Sequence, residues 1–178
     1  MRTGDGTSRT AVDWLASAAP EPAACRWEWE RHPLGVALLP AGRLWDVLVV
    51  PEPLARPTLD VLTVLLDRPG PVLADRGDRR IGFFVPAGTA GRWLGTGVRA
   101  AGNGSWIVVP HPGRPAAGVR WLVPPDGSGV LTDPGLLELA MHEAAAVVGP
   151  VSRAPRVAAA VDGRAARPGG CGAGGSVP

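Results

Sequence analysis

Short apolar runs that end at proline or glycine recur through the middle of the chain, and they predict β-strands. Strands are predicted at GVALLP (35–40), LWDVLVVP (44–51), PVLAD (71–75) and RRIGFFVP (79–86). The run at 44–51 is almost continuously apolar, which is typical of a central strand buried on both faces. The last two runs are separated by a turn-forming Asp-Arg-Gly-Asp sequence and are predicted to form a strand pair.

A second group of apolar runs lies between residues 97 and 124. GVRAAGNGSWIVVP (97–110) predicts a short strand, a Gly-Asn-Gly turn and a stronger strand that ends at Pro110. VRWLVP (119–124) is predicted to pair back onto that stronger strand. The two arms would form a hairpin around a loop of proline, glycine and one histidine.

Helices are predicted where apolar residues recur at helical spacing between capping residues and breakers. They are TAVDWLASAA from Thr10, AACRWEWERH (23–32), TLDVLTVLLD (58–67) capped by Thr58, a short AGTAGRWLG (87–95) and TDPGLLELAMHEAAAVV (132–148). Three prolines at 51, 53 and 57 predict a loop before the third of these helices. In the second helix, Trp27 and Trp29 are too close in sequence to face one core together.

The order of these elements predicts an α+β fold, a mostly antiparallel sheet with helices packed on one or both faces. One domain is predicted at 10–150. Residues 1–9 are predicted to be a disordered N-terminus. Residues 151–178 are rich in Ala, Gly, Pro and Arg, cannot bury a core, and are predicted to be a disordered tail.

Composition narrows the classes of function. The chain has 178 residues, of which 46% are hydrophobic, so one domain with a sizeable core is expected. The formal net charge is only +2, and all basic residues besides three histidines are arginines. Because lysine is absent, a P-loop nucleotide triphosphatase and Schiff-base chemistry are both excluded.

Cysteine usage and hydropathy give an expectation for the compartment. The two cysteines, Cys25 and Cys171, lie far apart in sequence and suggest neither a disulfide framework nor a zinc site. The N-terminus lacks the apolar segment of a secretory signal, and no apolar run reaches membrane-spanning length. A reducing cytoplasm and no membrane partner are therefore expected.

The region from residue 35 to 125 carries a recognisable series of motifs. Asp75 to Pro86, Gly97-Val98 and the stretch from Gly104 to Pro110 follow one another at characteristic spacing, and Pro112, Gly118, Arg120 and Trp121 continue the series. In order and spacing this region resembles the N-terminal domain of bifunctional DNA primase/polymerases, the prim-pol branch of the archaeo-eukaryotic primase fold. The resemblance implies a prim-pol-like fold and a link to DNA replication.

The chain departs from that family where catalysis is expected. The resemblance implies paired acids at the end of 44–51, where this chain has Val50 and Glu52. It implies a histidine in the next strand, where Arg80, Ile81 and Gly82 stand, and a third acid where Arg99 stands. Such enzymes clamp phosphates with two carboxylate-bound metal ions, and an arginine would repel a metal. If the resemblance holds, these departures predict a pseudoenzyme, a domain of this family that has lost its catalytic residues.

The arginines and aromatic residues then become the candidate binding residues. Arg80, Arg99 and Arg120 could contact the phosphates of a nucleotide or strand without a metal, and His111 could donate a hydrogen bond to phosphate. Trp106 and Trp121 could stack on bases. The alternatives are a solvated sheet face for the arginines, a loop position without a function for the histidine, and core packing for both tryptophans.

Three hypotheses for function remain open. The first is a non-catalytic domain that binds nucleotide or single-stranded DNA or RNA and needs no cofactor. The second is an active nucleotidyltransferase with displaced acids such as Asp46, Glu52 and Asp75, which would require Mg²⁺. Asp46 and Glu52 would lie on the same face of a regular strand and could form a rearranged metal pair. The third is a structural or interaction module that binds no ligand.

Overall fold

The computed structural model describes residues 4–31, 35–114, 116 and 118–148, and this part of the chain contains four helices and seven strands. The helices are α1 (Gly4–Ala16), α2 (Pro22–Arg31), α3 (Glu52–Leu65) and α4 (Pro134–Val148). The strands are β1 (Val36–Pro40), β2 (Trp45–Pro51), β3 (Val72–Asp75), β4 (Arg80–Pro86), β5 (Arg99–Ala101), β6 (Trp106–Pro110) and β7 (Val119–Val123). The predicted tail at 151–178 lies outside the described residues.

The strands form two antiparallel sheets. The larger sheet has the order β5-β2-β4-β3-β7, and the smaller one pairs β1 with β6. The α+β class, the antiparallel pairing and all the predicted strands between residues 35 and 124 are confirmed. β2 lies between β4 and β5, as its continuous apolar run predicted.

The predicted hairpin of β6 and β7 is wrong. β6 pairs with β1, with Val36 opposite Pro110 and Pro40 opposite Trp106. β7 instead pairs with β3 at the edge of the larger sheet. The turn and loop residues on either side of β6 correctly predict where the strand begins and ends, but they do not specify which distant strand pairs with it.

The larger sheet buries apolar residues on both faces because side chains alternate along each strand. The face covered by α3 and α4, here called the α3/α4 face, includes the buried side chains of Leu48, Val50, Ile81, Phe83, Val85, Leu62, Leu137 and Met141. The opposite face, here called the cleft face, packs against α1, α2 and the β1–β6 sheet. Its buried side chains include those of Leu15, Trp29, Leu39, Trp45, Val47, Leu73, Phe84 and Val109.

Two helices begin earlier than predicted. Helix α1 starts at Gly4, so residues 4–9, predicted to be disordered, are helical. Helix α3 starts at Glu52, so the predicted proline loop begins the helix: Pro53 lies in its first turn, and Pro57 lies inside it. Pro53 is tolerated because the first amides of a helix have no intrahelical acceptor. Thr58 therefore lies inside α3, where its hydroxyl donates to the Leu54 carbonyl at 2.8 Å, and it is not the cap.

Two other helix predictions have opposite outcomes. The short helix predicted at 87–95 is wrong, because this segment is a series of turns in which Thr89 donates to the Pro86 carbonyl. Helix α4 is confirmed, and the Asp133 carboxylate caps it by accepting from the Leu136 amide at 2.9 Å. No helix in the described ranges is both long enough and apolar enough to span a bilayer.

The two tryptophans of α2 separate as expected. Trp29 is buried, and its indole N–H donates to the Val109 carbonyl at 3.0 Å, which fastens α2 to β6. Trp27 lies on the outer side of the helix, where the Arg31 guanidinium stacks 3.9 Å from its ring centre. One tryptophan thus belongs to the core and the other to the surface.

Candidate functional site

A cleft of about 260 Å³ opens between the cleft face of the larger sheet and strand β6. It is lined by residues of both sheets: Val47, Val49, Leu73, Asp75, Asp78, Arg80, Gly82, Arg99, Ala101, Ser105, Trp106, Ile107, Val108 and Val119. Its floor is apolar, and its charged residues come from β3, β4, β5 and the β3–β4 turn. An apolar floor with a few converging polar groups is the usual make-up of a ligand site.

The strand register explains how the cleft is built. Val49 of β2 lies opposite Arg99 on one side and opposite Gly82 on the other, and Gly82 in turn lies opposite Leu73. Directly opposed residues project to the same face, so these four line one row across the cleft floor. A Cβ atom at Gly82 would lie 2.7 Å from Cγ1 of Val47, so glycine is needed for β2 and β4 to pack here.

Arg80 and Arg99 bring two positive charges to this cleft. Arg80 is two residues before Gly82 on β4 and therefore faces the same side, whereas Arg99 lies two strands away on the edge strand β5. Their backbones are separated by roughly 10 Å across the sheet. Of the ion pairs formed by the described residues, none involves either arginine. Both guanidinium groups are available to an anion.

Two aspartates also line the cleft. Oδ1 of Asp75 accepts from the amides of Gly77 at 2.8 Å and Asp78 at 3.3 Å, so this carboxylate stabilises the β3–β4 turn. Asp78 itself is exposed at the turn. The turn chemistry predicted for Asp75 to Asp78 is confirmed, and Arg79 completes it with a positive φ of 52°.

Trp106 forms the rim of the cleft and is 57% exposed. It begins β6, directly after a turn in which the Ser105 amide donates to the Gly102 carbonyl at 2.9 Å. Strand β6 pairs with β1 along one edge only, so among the described strands its other edge has no ladder. Trp106 therefore offers an exposed ring face beside two arginines that form no ion pair within the described part of the chain.

The structure does not bring Trp121 or Arg120 to this cleft. Trp121 packs against Phe84, with ring centres 5.5 Å apart, and its indole N–H donates to the Pro110 carbonyl at 3.1 Å. It is a packing residue, as the structural alternative proposed. Arg120 is exposed in a separate depression that also includes Pro112 and Arg114. The expectation that Arg120 joins Arg80 and Arg99 is wrong, because Arg120 lies opposite Ala74 and therefore projects to the α3/α4 face.

His111 also lies elsewhere. Its ring packs edge-on against Trp29, with ring centres 6.1 Å apart, and Nδ1 accepts from the Gly113 amide at 3.0 Å. It borders a pocket of about 470 Å³ near α1 and α2 that also contains Arg26, which is paired with Asp13. Burial, assisted by the charge of Arg114, lowers the pKa of His111 and favours the neutral ring. The structure therefore separates it from the cleft.

The candidate catalytic acids do not converge. Asp46 is buried at the start of β2, where Oδ2 accepts from the Ala90 amide at 2.7 Å and fastens the 87–95 turns. Glu52 follows the other end of β2, roughly 20 Å away by strand length. Its carboxylate pairs with Arg56 at 2.8 Å and Arg79 at 3.4 Å. The rearranged metal pair of Asp46 and Glu52 is therefore wrong.

The residues present do not fit the two-metal site that the resemblance implies. Val50 and Ile81, at two of the expected catalytic positions, point to the α3/α4 face and are buried there. The cleft instead receives Arg80 and Arg99. Within the ranges that the structure describes, no three His, Cys, Asp or Glu side chains lie close enough together to hold a metal ion.

The cleft cannot be assigned to a family by comparison with known proteins. No protein-family model matches the chain, and no curated protein or solved structure matches it significantly. The chemistry of the cleft residues is therefore the basis for inferring a function.

The sequence predicted Arg80, Arg99 and Trp106 as candidate residues, and the structure brings them to one cleft, but two features of that cleft were missed. Gly82 interrupts an otherwise apolar strand, and an interior glycine signals close approach of another group. That signal could have identified the cleft floor. No sequence signal of this kind marks the unpaired edge of β6, because that edge is unpaired only as a result of β6 pairing with β1.

Proposed function

We propose that this protein binds single-stranded nucleic acid, or a nucleotide as its smallest unit, in the cleft between β6 and the larger sheet. Arg80 and Arg99 contact phosphates, and Trp106 stacks on a base. Binding is non-catalytic, because metal-dependent phosphoryl transfer needs converging carboxylates, whereas the Asp75 carboxylate in the cleft is held by the β3–β4 turn amides and Asp78 is exposed on that turn.

The observation that carries this proposal is that one cleft is lined by one exposed tryptophan and by two arginines that form no ion pair with the described residues. Arginine forms bidentate, charge-assisted hydrogen bonds with phosphate oxygens, and neither guanidinium is in an ion pair with another residue that the structure describes. A base stacked on an aromatic side chain typically contributes about 1–3 kcal/mol and is tolerated whatever its identity. The arginines thus suit the phosphate of a nucleotide, and the tryptophan suits its base.

The size of the cleft favours a strand over an enclosed nucleotide. Its volume of about 260 Å³ is slightly below that of typical pockets that enclose a whole small molecule, which begin at about 300 Å³. A strand lying across the cleft would place one nucleotide at the arginines and continue over the rim. The net charge of only +2 predicts modest affinity, with the contacts to phosphate restricted to the cleft.

Fluorescence anisotropy with a labelled 12-nucleotide oligo(dT) tests the proposal. We expect saturable binding at low salt, with log K falling by about 0.7 per tenfold salt increase for each phosphate contact. Arg80→Ala and Arg99→Ala should each weaken binding and reduce that slope by about 0.7. Arg92→Ala is the matched control, because Arg92 is exposed on the turns at 87–95 and does not line the cleft.

The other two hypotheses predict different results. A module without a ligand would show no binding at low salt, or binding that the Arg92 variant reduces as much as the cleft variants do. An active nucleotidyltransferase would extend a primer in the presence of Mg²⁺ and lose this activity in Glu52→Ala. Either result would contradict the proposal.

A further inference from the structure

We infer that the outer face of the β1–β6 sheet is a base platform that extends the cleft, so that the ligand is a single strand of several nucleotides. This platform is formed by Leu38, Pro40, Trp106 and Val108. The inference rests on the proposed function and specifies the class of ligand bound at that site.

The platform is apolar and open. Leu38 is 56% exposed and Val108 is 43% exposed, and the two are direct partners in the β1–β6 ladder. Pro40 is the ladder partner of Trp106. Alternation along β1 buries Ala37 and Leu39 against the core and leaves these four side chains on the other face. A two-stranded sheet with one face in the core thus presents a second apolar face to solvent.

The platform continues directly from the cleft. Trp106 and Val108 belong to the platform and also line the cleft that contains Arg80 and Arg99. The two rows of the platform, Leu38 with Val108 and Pro40 with Trp106, are roughly 7 Å apart along the strands. A ligand held at the arginines would therefore pass over Trp106 onto the rest of the platform.

The chemistry of this combined surface selects its occupant. The apolar platform requires a partner with flat, weakly hydrated faces, and the adjacent arginines require a polyanion. A single nucleic-acid strand has both, since its bases are unstacked and its backbone is charged. A duplex hides its base faces, and an apolar peptide added to the free edge of β6 would lack the charge for Arg80 and Arg99.

The length dependence of binding tests this inference. Affinities for dTMP, (dT)4 and (dT)12 are measured by anisotropy competition on the wild type, on Leu38→Thr, which lies outside the cleft, and on the double variant Leu38→Thr/Val108→Thr. Threonine keeps the β-propensity of both strands, so the fold should be retained. We expect Leu38→Thr to bind (dT)12 about 3-fold more weakly and dTMP equally well, because its apolar contact is lost only beyond the cleft, and the double variant to bind (dT)12 about 5- to 10-fold more weakly.

The double variant Val64→Thr/Val147→Thr is the matched control. These valines are 85% and 82% exposed on α3 and α4, which cover the opposite face of the larger sheet. This control should bind (dT)12 like the wild type. A duplex of the same length should bind more weakly than the single strand to both the wild type and the control.

The outcomes separate this inference from the proposed function. If (dT)12 binding depends on Arg80 and Arg99 but not on Leu38 and Val108, the platform is wrong and the cleft proposal stands. If no oligonucleotide binds, both fail. Light scattering provides a further test by measuring the oligomeric state. A wild-type dimer that dissociates in Leu38→Thr/Val108→Thr would contradict the inference, because this face would then be an interface between copies of the chain.

Discussion

The two faces of the larger sheet are built from the same strands but differ in what covers them. On the α3/α4 face, β2 and β4 contribute Leu48 and Phe83, which are fully buried under two helices. On the cleft face, the same strands contribute Val49 and Arg80, which line an open cleft. Because alternate residues separate core from cleft, neighbouring substitutions should have unlike effects: one should change stability, and the next should change binding.

The largest effect should follow from Phe83→Ala on the α3/α4 face. Truncating a fully buried phenylalanine leaves a cavity and typically lowers the free energy of unfolding by about 3–5 kcal/mol. Urea denaturation followed by circular dichroism measures this change. Arg80→Ala, three residues earlier on the opposite face, should change the unfolding free energy by no more than about 0.5 kcal/mol. Equal losses in the two variants would contradict the division between the faces.

A smaller effect is expected where the cleft face is packed most closely. Gly82→Ala places a Cβ 2.7 Å from Cγ1 of Val47 and should lower the unfolding free energy by about 1–3 kcal/mol. The added methyl group should also weaken oligonucleotide binding by narrowing the cleft floor. Thermal and urea unfolding measure the first effect, and anisotropy measures the second.

A second substitution can sharpen this result. If the clash with Val47 is the cause, the double variant Gly82→Ala/Val47→Ala should be more stable than the sum of the two single effects predicts. Purely additive losses would mean that the strain at Gly82 has another origin.

Local sequence patterns predicted the helices and strands, whereas the order of the strands in the sheets depends on pairing between segments far apart in sequence. The continuous apolar run of 44–51 predicted β2, and the apolar residues at helical spacing in 132–148 predicted α4. The partner of β6 could not be obtained in this way, since β1 ends about 65 residues before β6 begins. Choosing the sequence neighbour β7 instead produced the incorrect hairpin.

The same error decided which of the predicted site residues lie together in the structure. Arg80, Arg99 and Trp106 line one cleft, but His111 and Trp121 were assigned to it only because both arms of the supposed hairpin were expected to face one ligand. The helix α3 start failed for a different reason. Pro53 and Pro57 look like loop residues in sequence, but Pro53 in the first turn loses no intrahelical hydrogen bond, and Pro57 is accommodated inside the helix.

The contrast between two tryptophans extends the comparison from sheet faces to single rings. Trp106→Ala should weaken (dT)12 binding by about 1–3 kcal/mol while leaving the unfolding free energy nearly unchanged, because its ring is exposed. Trp121→Ala should do the reverse, since its ring packs on Phe84 and donates to the Pro110 carbonyl. Anisotropy and urea denaturation on both variants decide the point, and a binding loss in Trp121→Ala without destabilisation would break the contrast.

The smallest effect concerns Glu52, where β2 leaves the sheet and α3 begins. The hydrogen bond from Arg56, with help from Arg79, lowers the pKa of Glu52 in the folded chain. A depressed carboxylate pKa stabilises the fold above the ordinary glutamate pKa of about 4.3, and that stabilisation is lost as the pH falls below it. The wild type should therefore be slightly more stable than Glu52→Gln at pH 7, and the difference should vanish toward pH 3. Urea denaturation across this range measures it, and a difference that persists at pH 3 would show that Glu52 acts through packing and not through its charge.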